Sequence, residues 1–141
     1  MEVKAGFICD AATVREGLLH VLGGAITRLW RPTMPAPLGV TFAMVLSISE
    51  NELDIPHQLL FTVNGPDGVI GSGMSGFLAP RPDRLEEGED VLAPVVFPIP
   101  LLTNAYGRHS IGVSIDNEPA GRELSCFWVL HPEEQLIPPL S

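Results

Sequence analysis

The feature that most constrains this chain is an alternation of apolar and polar residues over short segments. In residues 40–49 it places five large apolar side chains on one face of an extended strand: Val40, Phe42, Met44, Leu46 and Ile48. Glycine, proline, asparagine or aspartate interrupts the pattern at short intervals. The sequence therefore predicts an all-β protein with a single antiparallel β-sandwich of about eight or nine strands, immunoglobulin-like or jelly-roll-like.

Length and composition indicate one folded domain. The chain has 141 residues, of which 45% are hydrophobic and 18% charged, a balance opposite to that of disordered proteins. We expect a sandwich domain over residues 1–132 and a proline-containing tail over residues 133–141. The apolar excess also predicts surface that a partner or a second subunit covers.

The net charge of −9 narrows the choice of partners. A negative field repels phosphate groups, so neither nucleic acid nor an anionic membrane is an expected partner. No apolar run approaches the length of a membrane span, and no leader-like segment precedes the first strand. We therefore expect a cytoplasmic protein in which Cys9 and Cys126 are free thiols.

Turn-forming residues predict the local connections. Asp10 and Gly17 have the chemistry of helix caps, which predicts one short helical turn near residues 11–16. Gly23-Gly24 is expected to close one hairpin and residues 65–68 another. A last hairpin across residues 117–121 is expected to bury these side chains: Ile111, Val113, Ile115, Leu124, Cys126, Trp128 and Leu130.

No motif predicts a cofactor. Gly71-Ser-Gly-Met-Ser-Gly76 matches G-x-G-x-x-G, but Pro80 and Pro82 would break the helix that such a phosphate site requires. Glycines in a strand more often mark a bulge or a close backbone approach. The four histidines lack the i, i+2 or i, i+4 spacing of common metal pairs, and we expect them to be solvated or structural.

An acidic segment over residues 81–90 is the candidate metal site. Its carboxylates could coordinate Ca²⁺, although two arginines among them favour a solvated loop. The candidate ligands are Asp83, Glu86, Glu87, Glu89 and Asp90. No serine, cysteine or carboxylate stands in a recognisable catalytic arrangement, so we predict no catalytic residues.

Two parts of the chain resemble a known family. Phe7-Ile-Cys-Asp10 followed by Gly17-Leu-Leu-His-Val-Leu-Gly-Gly24 is similar to the opening of a family of small uncharacterised bacterial proteins, a domain of unknown function. The segment around Pro98-Ile-Pro and Tyr106-Gly-Arg-His resembles the ending of the same family, although His109 replaces a usual aromatic residue. The resemblance implies an immunoglobulin-like or C2-like sandwich in the cytosol, with no known activity and no catalytic residues.

We therefore expect a non-enzymatic binding or assembly module that acts through protein–protein contacts, with a protein partner or as a homo-oligomer. The expected contact residues lie on a proline-rich edge and in the tail: Val95, Phe97, Leu101, Leu136, Ile137 and Leu140. One alternative is a ligand- or Ca²⁺-binding sandwich, with its site in residues 81–90 or beside residues 71–76. The other is an enzyme with a scattered site.

Overall fold

The computed structural model describes residues 1–135, apart from the side chains of Arg122, Glu134 and Gln135, and it is all-β. In this part of the chain there are twelve strands in four sheets, more than the eight or nine predicted. The strands are β1 (Glu2–Cys9), β2 (Ala11–Arg15), β3 (Leu18–Leu22), β4 (Arg28–Trp30), β5 (Ala36–Pro37), β6 (Val40–Ile48), β7 (His57–Gly65), β8 (Gly68–Phe77), β9 (Val91–Ile99), β10 (Leu102–Thr103), β11 (Gly107–Ile115) and β12 (Glu118–Leu130). A 3₁₀ turn at Glu50–Glu52 and a helical turn α1 (Pro132–Gln135) complete the described elements.

Two larger sheets face each other. One has three strands in the order β1-β6-β9, and the other has five in the order β4-β12-β11-β7-β8. Neighbouring strands are antiparallel except β4 and β12, which are parallel. The pairs β5–β10 and β2–β3 form two small sheets. As a result, β8 and β9 each pair on one side only among the described residues.

The core lies between the two larger sheets. The alternation predicted for β6 is confirmed, because its five inward side chains are all buried. Phe42 of β6 meets Phe61 of β7 edge to face, with ring centroids 5.9 Å apart. Apolar side chains from both sheets therefore share one core.

The predicted helical turn near residues 11–16 is wrong, because residues 11–15 form β2. Glu16 and Gly17 both have positive φ, 54° and 73°, the backbone of a two-residue hairpin turn. This turn returns the chain as β3, which pairs with β2 along its whole length. The predicted hairpin at Gly23-Gly24 is wrong for the same reason, since β3 is already paired. There the chain turns next to Asp10, whose N–H donates to the carbonyls of Leu22 and Gly23.

The other two hairpins are present, and one differs in detail. β7 and β8 pair around residues 65–68 as predicted. β11 and β12 pair around Asp116 and Asn117, and Ile111, Val113 and Ile115 are buried as expected. A bulge in β12 shifts the alternation after Leu124, so Phe127 and Val129 are buried while Trp128 is 49% exposed.

No helix among residues 1–135 has both the length and the apolar character needed to cross a membrane.

Candidate functional site

The candidate site is a cleft between the free edges of β8 and β9. β8 ends the five-stranded sheet, and β9 ends the three-stranded sheet that faces it. The chain passes from one edge to the other through residues 78–90. The acidic loop, residues 81–90, therefore lies at one end of the cleft. Residues 100–101, which follow β9, lie at the other end.

The middle of β8 has almost no side chains on its inner face, and the large side chain on that face, Phe77, lies at the end of the strand. In the register with β7, Gly71 lies opposite Val63 and Gly73 opposite Phe61, and both partners point into the core. Because paired residues share a face, Gly71 and Gly73 also face the interior. A Cβ atom at Gly71 would lie 2.6 Å from Leu101, whereas one at Gly73 would meet no atom within 4 Å. Leu101 thus occupies the first space and leaves the second open.

The space beside Gly73 is an apolar pocket of about 200 Å³. Its inner wall comes from the core: Phe42, Phe61, Val63 and Ile111. Its outer wall comes from the two edges and the segment after β9: Ser72, Gly73, Phe97, Pro98, Ile99, Pro100 and Leu101. Ser72, Gly73, Pro98 and Pro100 are exposed, so the pocket opens to solvent between the edges. A cavity of this kind is apolar and large enough to hold a group the size of a benzene ring.

Aromatic rings form the wall of the pocket nearest the core. Phe61 lies between Phe42 and Phe97, and its ring centroid is 3.7 Å from that of Phe97. Phe97 is half-buried although it belongs to an edge strand. The pocket therefore has a rigid aromatic side that packing holds in place.

The two edges differ in their capacity to pair with a further strand. β9 carries Pro94 and Pro98, which have no N–H to donate. Their spacing of four residues puts both ring nitrogens on the same side of the strand, the side away from β6. The ten residues of β8 include neither proline nor a charged residue. Residues of those types are the usual protection of an edge, so β8 is an unprotected edge.

The predicted contact residues fall partly on this cleft. Phe97 and Leu101 line the pocket, and Val95 is half-buried on the inward face of β9, opposite Met44. The remaining three lie outside the described residues: Leu136, Ile137 and Leu140.

The acidic loop does not gather its carboxylates around a common point. Arg84 pairs with Glu86 at 2.7 Å, Glu89 accepts from the Glu86 N–H, and Asp90 accepts from Ser47. Within residues 1–135, no three side chains of histidine, cysteine, aspartate or glutamate are grouped as metal ligands would be. The Ca²⁺ hypothesis for the following residues has no support from this geometry: Asp83, Glu86, Glu87, Glu89 and Asp90.

Two histidines have structural surroundings away from the cleft. His109 is 1% exposed, stacks on Phe127 and bonds to the Thr103 hydroxyl at 2.8 Å. His57 places Nδ1 2.6 Å from Asp116 Oδ2 and Nε2 2.8 Å from the Glu52 carbonyl oxygen. Burial lowers the pKa of His57, but these two acceptors outweigh it and the pKa is raised above 6.5.

Both cysteines are free thiols. Cys9 is fully buried, and its burial, with the nearby charge of Asp10, raises the pKa of the thiol. Cys126 is half-buried and lies 2.9 Å from the Arg108 guanidinium, which is held in turn by Glu123. Neither thiol borders the cleft.

Sequence reasoning named the stretch beside residues 71–76 only as an alternative ligand site and did not single out Gly71 and Gly73. The sequence did carry an indication, because two glycines two residues apart lie on the same face of a strand and neither places a side chain in the space next to that face. Recognising this space as a pocket required the register with β7 and the position of β9 opposite the glycines.

The fold and the cleft define the class: an all-β protein with an apolar pocket between two free sheet edges. Within that class, the chain belongs to the family of unknown function DUF6941, whose model matches residues 4–123. The matched range includes β8, the acidic loop and β9. No curated protein and no solved structure matches the chain.

Proposed function

We propose that this chain is a non-enzymatic binding module that receives an apolar side chain of a partner protein in the pocket beside Gly73. The observation that carries the proposal is the pocket itself, an apolar space of about 200 Å³ that is open at a free sheet edge. Sites for drug-sized ligands and cofactors usually measure about 300–1,000 Å³, so this one suits a single large side chain. The three described contact residues of the sequence-based prediction lie on or beside the same edge.

The setting of the module is also a proposal. We infer that the two larger sheets are the layers of one immunoglobulin-like or jelly-roll-like sandwich, which their shared core supports. A cytoplasmic location is supported by the two free thiols. Whether the partner is a different protein or a second copy of the chain is a question for native mass spectrometry of the purified protein.

Filling the pocket tests the proposal. Gly73→Phe places a ring in the open space, and Gly76→Phe is its matched control. A Cβ atom added at either glycine would meet no atom within 4 Å, and neither glycine has a positive φ, but Gly76 lies opposite Gln58 on the outer face. Both substitutions replace a strand glycine, so each should leave stability unchanged or raise it by up to about 1 kcal/mol.

The readout is a nonapeptide display library selected on the full-length chain. We expect enriched peptides to share a large apolar residue, to lose binding to Gly73→Phe and to keep it with Gly76→Phe. Peptides that bind both variants equally, or no enrichment at all, would contradict the proposal.

A small apolar molecule is the second candidate for the pocket, since a cavity of similar size in another protein binds benzene. Benzene added to the full-length chain would then raise the melting temperature of the wild type and of Gly76→Phe, but not that of Gly73→Phe. If benzene raises the melting temperature in this way and no selected peptide loses binding to Gly73→Phe, the ligand-binding function is favoured.

A further inference from the structure

We propose that the partner segment binds as an additional β-strand on the free edge of β8, with a basic residue directed at the acidic loop. This inference rests on the proposed function and deepens it, because it specifies how the segment binds and what chemistry it carries. It follows from four features of the cleft: the open edge of β8, the glycines in the middle of its inner face, the prolines on the edge of β9 and the charge at one end.

The backbone of β8 is suited to accept a strand. A free edge presents N–H and C=O groups that a further strand can bond, and an extended segment added there gains main-chain hydrogen bonds. β8 is ten residues long and is the last strand of its sheet, so among the described residues no strand pairs with its outer edge. Met74 on its outer face is 65% exposed. The prolines of β9 remove donors from the opposite edge, which leaves β8 as the side that pairs.

An added strand would also bring side chains to the pocket. Alternate residues of a strand point to opposite faces, so every second side chain of the incoming segment would enter the gap between the sheets. The pocket beside Gly73 would receive one of them. A second copy of β8 could not supply it, because its inner face carries Gly71, Gly73 and Ser75, and the one large side chain there, Phe77, already packs against the core of its own chain. The partner is therefore a segment with large apolar residues at alternate positions.

The negative charge of the acidic loop determines which end of the partner segment carries a basic residue. The acidic loop has five carboxylates and two arginines, a net charge of −3. Arg81 is already engaged by Glu50 at 2.9 Å and Asp54 at 3.8 Å, outside the loop. Asp83 and Glu87 are exposed. A lysine or arginine at that end of the segment would complement this field.

The distance from the pocket to the acidic loop also determines how many residues separate the basic residue of the segment from its apolar anchor. From Gly73 to the end of β8 is four residues, and from Phe97 to the start of β9 is six. At a rise of about 3.3 Å per residue, the acidic loop lies roughly 13–20 Å from the pocket. In the more stable antiparallel arrangement, the basic residue would therefore precede the apolar anchor by about four to six positions.

A synthetic peptide of sequence Lys-Lys-Ser-Val-Thr-Phe-Thr-Val-Thr tests the inference on the full-length chain by isothermal titration calorimetry. Two derivatives carry N-methyl groups on alternate backbone nitrogens, one on the odd and one on the even positions after the lysines. Only one set of nitrogens can face β8, so we expect one derivative to lose at least about tenfold in affinity and the other to bind as the parent does. Equal affinity of the two derivatives, retained or lost in both, would overturn strand addition.

Charge is tested from both sides. Replacing both lysines by glutamate should weaken binding at least about tenfold. The double variant Asp83→Asn and Glu87→Gln should weaken binding of the lysine peptide. Asp67→Asn with Glu133→Gln removes two charges at the opposite end of the five-stranded sheet and should not weaken it, because Asp67 lies in the turn before β8 and Glu133 follows the end of β12. Equal binding in all these combinations would overturn the assignment of a basic partner.

Different results would contradict side-chain binding in the pocket and strand addition to β8. If Gly73→Phe abolishes peptide binding while both methylated derivatives bind as the parent does, the pocket function stands and strand addition is wrong. If the parent peptide binds Gly73→Phe as well as it binds the wild type, the pocket function is wrong. A dimer of the chain that the peptide dissociates, seen by native mass spectrometry, would assign the edge to a second copy and overturn the proposal of a separate basic segment.

Discussion

A single buried hydrogen bond holds the segment after β9 against the large sheet. The Thr103 hydroxyl is fully buried and lies 2.8 Å from Nε2 of His109. Nδ1 of the same ring lies 2.9 Å from the Gly107 carbonyl oxygen, which can only accept, so Nδ1 donates. In the neutral ring Nε2 then accepts from the Thr103 hydroxyl, for which the Ala105 carbonyl oxygen at 3.2 Å is the more distant acceptor. Thr103 follows Leu101 closely, and Leu101 shapes the pocket. The bond therefore helps to set the pocket from a distance.

Thr103→Val should destabilise the protein by about 1–3 kcal/mol, because it leaves Nε2 of His109 buried without a partner. Thr103→Ser keeps the hydroxyl and should cost less. Urea unfolding of the three proteins measures the difference. Equal losses for the valine and serine variants would show that the hydroxyl is not what matters at this position.

A second polar contact makes stability depend on pH. Both ring nitrogens of His57 face acceptors, which favours the protonated ring. The hydrogen bond with His57 lowers the pKa of Asp116 below 3.8, while the pKa of His57 lies above 6.5. The pair thus stabilises the fold most between about pH 4 and 6.5. Its contribution falls as pH rises through the folded pKa of His57, and also as acid protonates Asp116.

Asp116→Asn should therefore cost stability at pH 5.5 and progressively less above pH 7. Asparagine tolerates the φ of 50° at this position and can still accept from the Gln58 N–H. Glu86→Gln is the control, because its partner Arg84 does not titrate in this range. Urea unfolding from pH 5 to pH 9 gives both curves. A cost of Asp116→Asn that is constant over this range would refute the role of His57.

Among the secondary-structure elements, the β2–β3 hairpin depends on a turn in which one residue has an unfavourable backbone conformation. Glu16 has φ of 54°, a conformation that costs energy for a side chain of this type, and it precedes Gly17 in the same region. Asparagine before glycine is the preferred pair for such a turn. The hairpin would gain from a residue that accepts this backbone.

Glu16→Asn should raise the free energy of unfolding by up to about 1 kcal/mol. Glu87→Asn removes the same charge from a loop position without positive φ and should change stability little. Guanidinium unfolding of both variants makes the comparison. A gain of the same size in Glu87→Asn would attribute the effect to charge rather than to the turn.

The elements also show where sequence reasoning succeeds. The alternation of β6 and the glycine-rich turn between β7 and β8 are predictable because each depends on residues close in the chain. The β2 strand is not, because cap-type residues at Asp10 and Gly17 also suit a hairpin, and only pairing with β3 decides between the two. The bulge in β12 depends on register with β11, which no local pattern encodes.

The site was predictable only in part. A proline-rich edge that includes Phe97 and Leu101 could be predicted, because prolines exclude a central strand. The pocket could not, since it requires two glycines of one sheet to lie across from the edge of the other. That proximity is a product of the whole fold.

At the scale of the molecule, the net charge of −9 acts on folding. Like charges repel one another in the compact state, and salt screens that repulsion. Raising NaCl from 0.01 M to 0.15 M shortens the screening length from about 30 Å to 8 Å. The melting temperature should rise by a few degrees in a calorimetric scan, and by less in the Glu2→Gln and Glu118→Gln double variant. A fall on adding salt would mean that attractive pairs outweigh the repulsion.

The open space beside Gly73 has a consequence for how the protein changes under selection. Larger residues there would add buried apolar contacts, so directed evolution for thermostability alone should replace Gly73 early. The same replacements would fill the only pocket we assign to a partner within residues 1–135. Stability and function therefore favour different residues at this position. If glycine is retained at position 73 under selection for function and replaced under selection for stability, this would indicate that the cleft binds a partner.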